Sequence, residues 1–223
     1  MAERLKADVA SGAIKPGELI KQTVIAKRYG VSATPVREAM RLLEADGVLE
    51  YSPHRGASVR ELSPEAARDL YRLRAAAERV ATEMGTERMT RRGLEEVQRV
   101  HAELTAAVAD PSAAPERRSL LNREFHFAIY RQTSPLILQH VELLWSRLTP
   151  GSTIWGNPTH AAALQRDHEA IMDALERGDA AAAGKIAAEH IARAADIREH
   201  DPDLRASGTD EREDFGATEP EAR

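Results

Sequence analysis

The order of local signals over residues 1–60 limits this chain more than any other feature: helix, short helix, tight turn, helix, hairpin. ERLKADVASGAIKPGELI predicts a helix and a turn, with Leu5 and Val9 one helical turn apart, Gly12 as a stop and Pro16-Gly17 as a turn signal. QTVIAKRYG predicts a short helix, with Val24, Ile25 and Tyr29 inward and Gly30 ending it. VSATPVREAMRLLEADG predicts a third helix, capped by Ser32 or Thr34, with Pro35 in its first turn and Gly47 as its stop. Its apolar stripe is Val36, Met40 and Leu43, which turns Arg37, Arg41 and Glu44 elsewhere. VLEYSPHRGASVREL alternates as two short strands about Pro53-His54-Arg55-Gly56.

From Ser63 onward the signals predict helices alone, over 64–88, 91–109, 115–132, 134–149, 158–177 and 179–199. Asp110–Pro115 and Thr149-Pro150-Gly151 read as loops, and Arg177-Gly178-Asp179 as a tight turn. The expected fold is mainly α, a winged helix-turn-helix followed by an all-α bundle. The expected units are 1–62, 63–200 and an acidic tail over 201–223 with too few apolar residues to order itself.

Charge follows the same division. The net charge is −5, yet residues 1–60 carry 10 Lys+Arg against 7 Asp+Glu. Residues 61–200 carry 18 against 21, and the tail 3 against 8. A basic head on an acidic chain suits a polyanionic partner, because local charge steers association more than the total does. There are no cysteines, so disulfides and thiolate metal sites are excluded. No apolar run reaches the length of a membrane span, and the charged start MAERLKADVA lacks a secretory signal pattern. Both point to the cytoplasm and away from a membrane.

A unit of this order places its third helix in the major groove of DNA. Ser32, Thr34 and Pro35 stand at the helix start, where hydroxyls and backbone N–H groups suit phosphate oxygens. Arg37 and Arg41 can reach base edges or phosphates, and His54, Arg55 and Gly56 form the wing tip. The pattern alone also fits a small helical unit with a solvated charged face. The stretches IKPGELI, VSATPVREAMRLLEADGVLE and PHRGASV then carry a resemblance over about residues 3–60 to the winged-helix domain of GntR-type bacterial transcription regulators. That resemblance implies double-stranded operator DNA as the partner. One residue departs from it: Ala33 stands where the family commonly has an arginine that contacts DNA.

Asn122 and His126 share one helix face, and His168 and His190 lie on two later helices. Imidazoles from separate helices of a bundle can converge on zinc, nickel, copper or iron. Spacing alone equally allows histidines that are packed or face solvent. LYRLRAAAERVAT, NREFHFAIYRQTSPLI and HEAIMDALERGDAAAAGKIAAEHI resemble the FCD effector domain of the FadR subfamily over about 64–199. The resemblance implies a divalent metal, zinc first with nickel or manganese as the other candidates, held by Asn122, His126, His168 and His190. The family's usual residue at the first position is aspartate, so Asn122 leaves the site one negative charge short.

Four ligands leave open positions that a small carboxylate effector can take. Arg74 and Arg147 are the candidate carboxylate partners, because guanidinium offers a two-pronged donor. Thr153 and Trp155 are candidates for the pocket rim. For Arg74 the competing expectation is an ion pair with Glu78 on a helix surface, and for Trp155 it is ordinary core packing. The expected protein is a homodimeric, ligand-responsive repressor and not an enzyme. The rivals are a metal-free FadR-like receptor for an acyl thioester and a metal-dependent enzyme. The second lacks any recognisable general base, nucleophile pair or phosphate loop beside the histidines.

Overall fold

The computed structural model describes residues 1–10, 13–15, 17–52, 56–147, 154–201 and 204. Its first part comprises α1 (Ala2–Ala10), β1 (Leu19–Ile20), α2 (Gln22–Tyr29), α3 (Ala33–Ala45), β2 (Leu49–Ser52) and β3 (Gly56–Val59). Leu5 and Val9 of α1, Ile25 of α2, and Val36, Ala39, Met40 and Leu43 of α3 enclose one core with Ile20, Leu49 and Val59. Gly30 ends α2 at φ +67°, the left-handed conformation that lets the chain turn at once into α3. Ser32 is the N-cap of α3, but its hydroxyl makes no capping bond, and it stays exposed.

Three strands form here where the sequence predicts two. They run β1-β3-β2, all antiparallel, with Leu19 opposite Ser58 and Ser52 opposite Gly56. β1 has two residues, too short to show an alternation. Val24 is also corrected: it is 58% exposed, while Ile25 is buried. The inner face of α2 is centred on Ile25, Ala26 and Tyr29, and Val24 falls on its outer edge. Gly12, Pro16, the wing residues Pro53, His54 and Arg55, the loop 148–153 and nearly all of the predicted tail lie outside the described residues.

The second part is helical: α4 (Pro64–Glu87), α5 (Arg91–Ala109), α6 (Pro115–Tyr130), α7 (Pro135–Ser146), a 3-10 turn (Ile154–Gly156), α8 (Pro158–Glu176) and α9 (Ala180–His200). Side-chain caps begin five of the helices, and at α7 Ser134 Oγ accepts from Ile137 N–H at 3.4 Å. At the other four, the oxygens of Ser63, Thr90, Asn157 and Asp179 accept bonds from Ala66, Gly93, Thr159 and Ala182 N–H groups at 2.9–3.1 Å. The sixth predicted helix begins after its Asp179 cap. The third stops at Tyr130, where Gln132 and Thr133 close a turn, and the fourth at Ser146. No helix among the described residues is long and apolar enough to cross a membrane.

α4 packs along α9, α5 against α6 and α8, and α8 against α9. Six consecutive residues of α6, Phe125 to Tyr130, are buried. A helix buried on every side sits inside a bundle, not on it. α6 also comes unusually close to α4. A Cβ at Gly85 would lie 2.6 Å from the carbonyl oxygen of Ile129, which is backbone and cannot swing aside. At Gly184 the obstacle is the flexible Glu83 side chain.

These two glycines make a paired stability test. Gly85→Ala is expected to lower unfolding stability by about 1–3 kcal/mol, because overpacking outweighs the roughly 1 kcal/mol gain in helix propensity. Gly184→Ala is expected to cost less, since Glu83 can move. Denaturant midpoints of the two variants check the order.

Candidate functional site

The helical part brings His126 of α6, His168 of α8 and His190 of α9 together at its centre. His126 Nε2 lies 3.2 Å from His190 Nε2 and 3.3 Å from His168 Nε2. All three rings are buried, at 1%, 0% and 3% exposure. Asn122 stands one helical turn before His126, and its Oδ1 is buried without a hydrogen-bond partner. An orphaned buried acceptor one helical turn from His126 is costly on its own and calls for a donor or a cation.

Every Nδ1 of the trio faces an oxygen. His126 Nδ1 is 3.3 Å from the Tyr130 hydroxyl, which itself donates to Glu78 Oε2 at 2.7 Å and so presents a lone pair to the ring. His168 Nδ1 is 3.3 Å from Gln165 Oε1. That amide's nitrogen is committed to Thr105 Oγ1 at 2.8 Å and His101 Nε2 at 3.2 Å, which fixes its oxygen toward His168. His190 Nδ1 is 3.4 Å from Asp167 Oδ2, which also accepts from Arg193 Nε at 2.9 Å. An oxygen at each Nδ1 favours the Nδ1–H tautomer, which turns the Nε2 lone pairs toward one another. Oriented imidazoles of this kind are how metal ligands are held.

Electrostatics agree with neutral rings at His126 and His168. Burial pushes the His126 imidazole well below its ordinary pKa, helped by His190 and Arg74. Burial does the same to His168, with His190, His126 and His101 adding to it. Burial alone would raise Asp167, but hydrogen bonds from His190 and Arg193 prevail and hold its carboxyl below the usual range. Burial and the adjacent Glu78 charge raise Tyr130 well above the ordinary phenol value, so it remains a hydroxyl. The site thus offers three imidazole nitrogens, with the orphaned amide oxygen of Asn122 one helical turn from His126. This donor set fits a divalent ion such as zinc, and nickel is compatible with the imidazoles.

Of the predicted effector residues, Arg74 and Trp155 lie at this centre. Arg74 does pair with Glu78, Nε to Oε1 at 2.7 Å, but in the interior at 3% exposure and not on a helix surface. Its guanidinium carbon lies 4.3 Å over the Trp145 ring. Through Glu78 and Tyr130 it is joined to His126. Trp155 is buried, its ring 5.9 Å from that of His168 at 14° between planes. Packing and proximity to the site are both true of it. Arg147 lies apart, exposed at the end of α7 and directed toward Gly47 of the N-terminal part, 3.7 Å from where a Cβ there would be. Thr153 falls outside the described residues.

Sequence reasoning missed the residues that orient the histidines, Tyr130, Gln165 and Asp167, and named Glu78 only as a partner of Arg74. The spacings Arg74/Glu78, His126/Tyr130 and Gln165/His168 are all helical neighbours and were visible, but many such pairs occur in a helical chain. Arg118 was missed as well. It is 6% exposed and donates to the carbonyls of Ala107, Asp110 and Trp155 at 2.7–3.0 Å. That clamps the end of α5 to the turn carrying Trp155.

In the N-terminal part, Thr34, Pro35, Arg37 and Arg41 are exposed on α3. Positions 34, 37 and 41 form one stripe along the helix. Arg37 has only a loose ion pair, 3.8 Å to Glu38. Gly56 opens β3 at φ +90°. His54 and Arg55 are outside the described residues.

Comparison with known families matches residues 1–59 to bacterial regulatory proteins of the gntR family and residues 69–193 to the FCD domain. The chain is 42% identical over 36% of each chain to the uncharacterized HTH-type transcriptional regulator YdhC of Bacillus subtilis. It is 32% identical to the HTH-type transcriptional regulator McbR of Escherichia coli over 66% of each chain. The matches thus span about a third of YdhC and just under two thirds of McbR. A probable D-xylose utilization operon transcriptional repressor of Paenarthrobacter nicotinovorans is 30% identical over 83% of this chain and 81% of its own. The solved structure of E. coli McbR superposes with a TM-score of 0.78 at 26% identity, covering 88% of this chain and 93% of that one.

The neutral histidines give a pH test on metal-free protein. The unfolded chain binds protons at His126 and His168 near pH 6.5, whereas the folded chain resists them, so unfolding free energy falls as pH drops below about 6.5. The two residues together set a slope of up to about 2.7 kcal/mol per pH unit. Urea midpoints between pH 7.5 and 5.5 should decline, and His168→Gln should flatten the decline.

Proposed function

The chain belongs to the gntR family of bacterial regulatory proteins and carries an FCD domain, and from that premise we propose that it is a metal-dependent sensor of a small carboxylate. It is a DNA-binding transcription regulator, and the proteins it matches are regulators and not enzymes. The likeness to the D-xylose operon repressor supports repression as its mode. In this proposal residues 1–62 read DNA, 63–200 sense the ligand, and the protein works in the cytoplasm as a homodimer on a two-fold operator.

The observation that carries the sensing role is the buried trio with its orphaned amide oxygen. Asn122, His126, His168 and His190 would hold the ion, zinc first and nickel or manganese as alternatives. When bound, it would supply open coordination positions that a carboxylate oxygen can occupy. The chain's own residues do the rest. Arg74 offers guanidinium N–H donors to the acid, Glu78 and Tyr130 hold His126 in place, and Trp155 covers His168 from solvent. A metal-free acyl thioester receptor gives no role to three imidazoles aimed at one another.

Arg74 lies on α4, about 15 Å of helix from its start at Pro64. An acid that draws Arg74 from Glu78 can shift α4 as a rod. The segment Arg60–Ser63 at its N-terminal end would pass that shift to the DNA-binding part. The ligand then favours one arrangement of the two heads.

On DNA, Ser32, Thr34 and Pro35 would meet phosphates and Arg37 a base edge, with Arg41, His54, Arg55 and Gly56 adding contacts at the flanks. Arg37→Ala is expected to abolish sequence-specific binding, a loss of about 1–3 kcal/mol against competitor DNA. Ala33→Arg should tighten binding, and fluorescence anisotropy on operator DNA measures both. Weaker binding by Ala33→Arg would mean that α3 sits differently on the groove. For the sensor, untagged protein should retain about one divalent ion per chain by elemental analysis, and His126→Ala should lose it. Metal-loaded protein whose operator affinity no small acid alters would count against carboxylate sensing.

A further inference from the structure

We infer that the ligand taken at the histidine centre is a small dianion, a short dicarboxylate, and that Asn122 sets this charge. The inference rests on the metal-dependent reading above. The two carboxylates bonded into the network around the histidines both have an arginine partner already. Glu78 is paired with Arg74 at 2.7 Å, and Asp167 with Arg193 at 2.9 Å. The four donors themselves, three imidazoles and the Asn122 amide, bring no charge. A divalent ion held by them is left with two positive charges in a place where His126, His168 and His190 are almost wholly buried. Uncompensated charge in such surroundings is costly. A monocarboxylate cancels half of it, and a dicarboxylate cancels all.

Donors for a second carboxylate stand beside the centre. Arg74 spends Nε on Glu78, and a guanidinium carries five N–H groups. The Trp145 ring lies under that guanidinium, and its Nε1 is buried with no acceptor. Trp145 also touches His126, ring centres 5.9 Å apart. An orphaned donor next to a cation and a metal ligand suits an oxygen-rich anion. An aspartate in place of Asn122 would remove one of the two excess charges with little change of shape.

The test compares zinc-loaded full-length protein with its Asn122→Asp variant, using acetate, malonate and succinate as probes in calorimetry at about pH 7.5, where all three acids are ionised. The loss in log affinity caused by one added negative charge scales with the charge of the ligand. Asn122→Asp should therefore weaken acetate about 10-fold and the tighter-binding dicarboxylate about 100-fold. Chelation by the dicarboxylate is common to both proteins and cancels from the comparison. Near-ultraviolet circular dichroism of Trp145 and Trp155 confirms that the variant keeps its packing. An equal loss for both ligand classes, no loss, or a wild-type protein that binds neither dicarboxylate overturns the inference. Wild-type protein that takes up no zinc, nickel or manganese overturns the metal reading and this inference with it. Metal uptake with a charge-independent response overturns this inference alone.

Discussion

Three imidazoles buried at the centre of the bundle are the constraint around which the helical part is built. Each is turned so that its Nε2 faces inward, and each has an oxygen at its Nδ1. Tyr130, Gln165 and Asp167 provide those oxygens from α6 and α8. Those residues then need partners of their own, which draws in Glu78 and Arg74 from α4, Thr105 and His101 from α5, and Arg193 from α9. The network therefore ties α4, α5, α8 and α9 to α6 by polar bonds as well as by apolar packing. A buried polar network is stable only when its members are satisfied, and here the exceptions, Asn122 Oδ1 and Trp145 Nε1, adjoin the site.

In the proposed sensor the same arrangement would link the histidine centre to the DNA-reading part. α4 is the first helix after the winged unit and carries Arg74 and Glu78. Ser63 and Pro64 set its start sharply, through a side-chain cap and a first-turn proline. Tight packing of Gly85 on Ile129 holds its far end to α6. A helix fixed in this way would move as a unit, and under the proposal a change at Arg74 would be passed to the joint with β3. In the bound state proposed here, the competition between Glu78 and an acid for Arg74 is the point at which chemistry becomes motion.

Much of this was legible beforehand, and the limits have identifiable causes. The apolar stripe Val36, Met40 and Leu43 gave α3 its inner face because a period of 3.6 admits few alternatives. The six helices after Ser63 were legible because prolines, caps and Gly178 mark their ends. Val24 was misassigned because two adjacent apolar residues on a short helix leave the facing ambiguous. α6 could be recognised as a helix but not as the central one, since burial on every side erases the periodic contrast. Arg74 and Arg147 looked alike as candidate carboxylate partners, yet one is interior beside Tyr130 and Trp145 and the other is exposed at the end of α7.

The sequence by itself determined the kinds of chemistry present: a helix-turn-helix with an exposed Thr34/Arg37/Arg41 stripe, and four nitrogen and oxygen donors with no cysteine among them. These follow from residue type and local spacing, which act over one or two helical turns. Only the tertiary structure decided that three histidines on three helices share one point, and which oxygen stands behind each. Those distances join residues 42 and 64 positions apart, such as His126 to His168 and to His190. They are set by how α6, α8 and α9 pack, and no local periodicity encodes that packing.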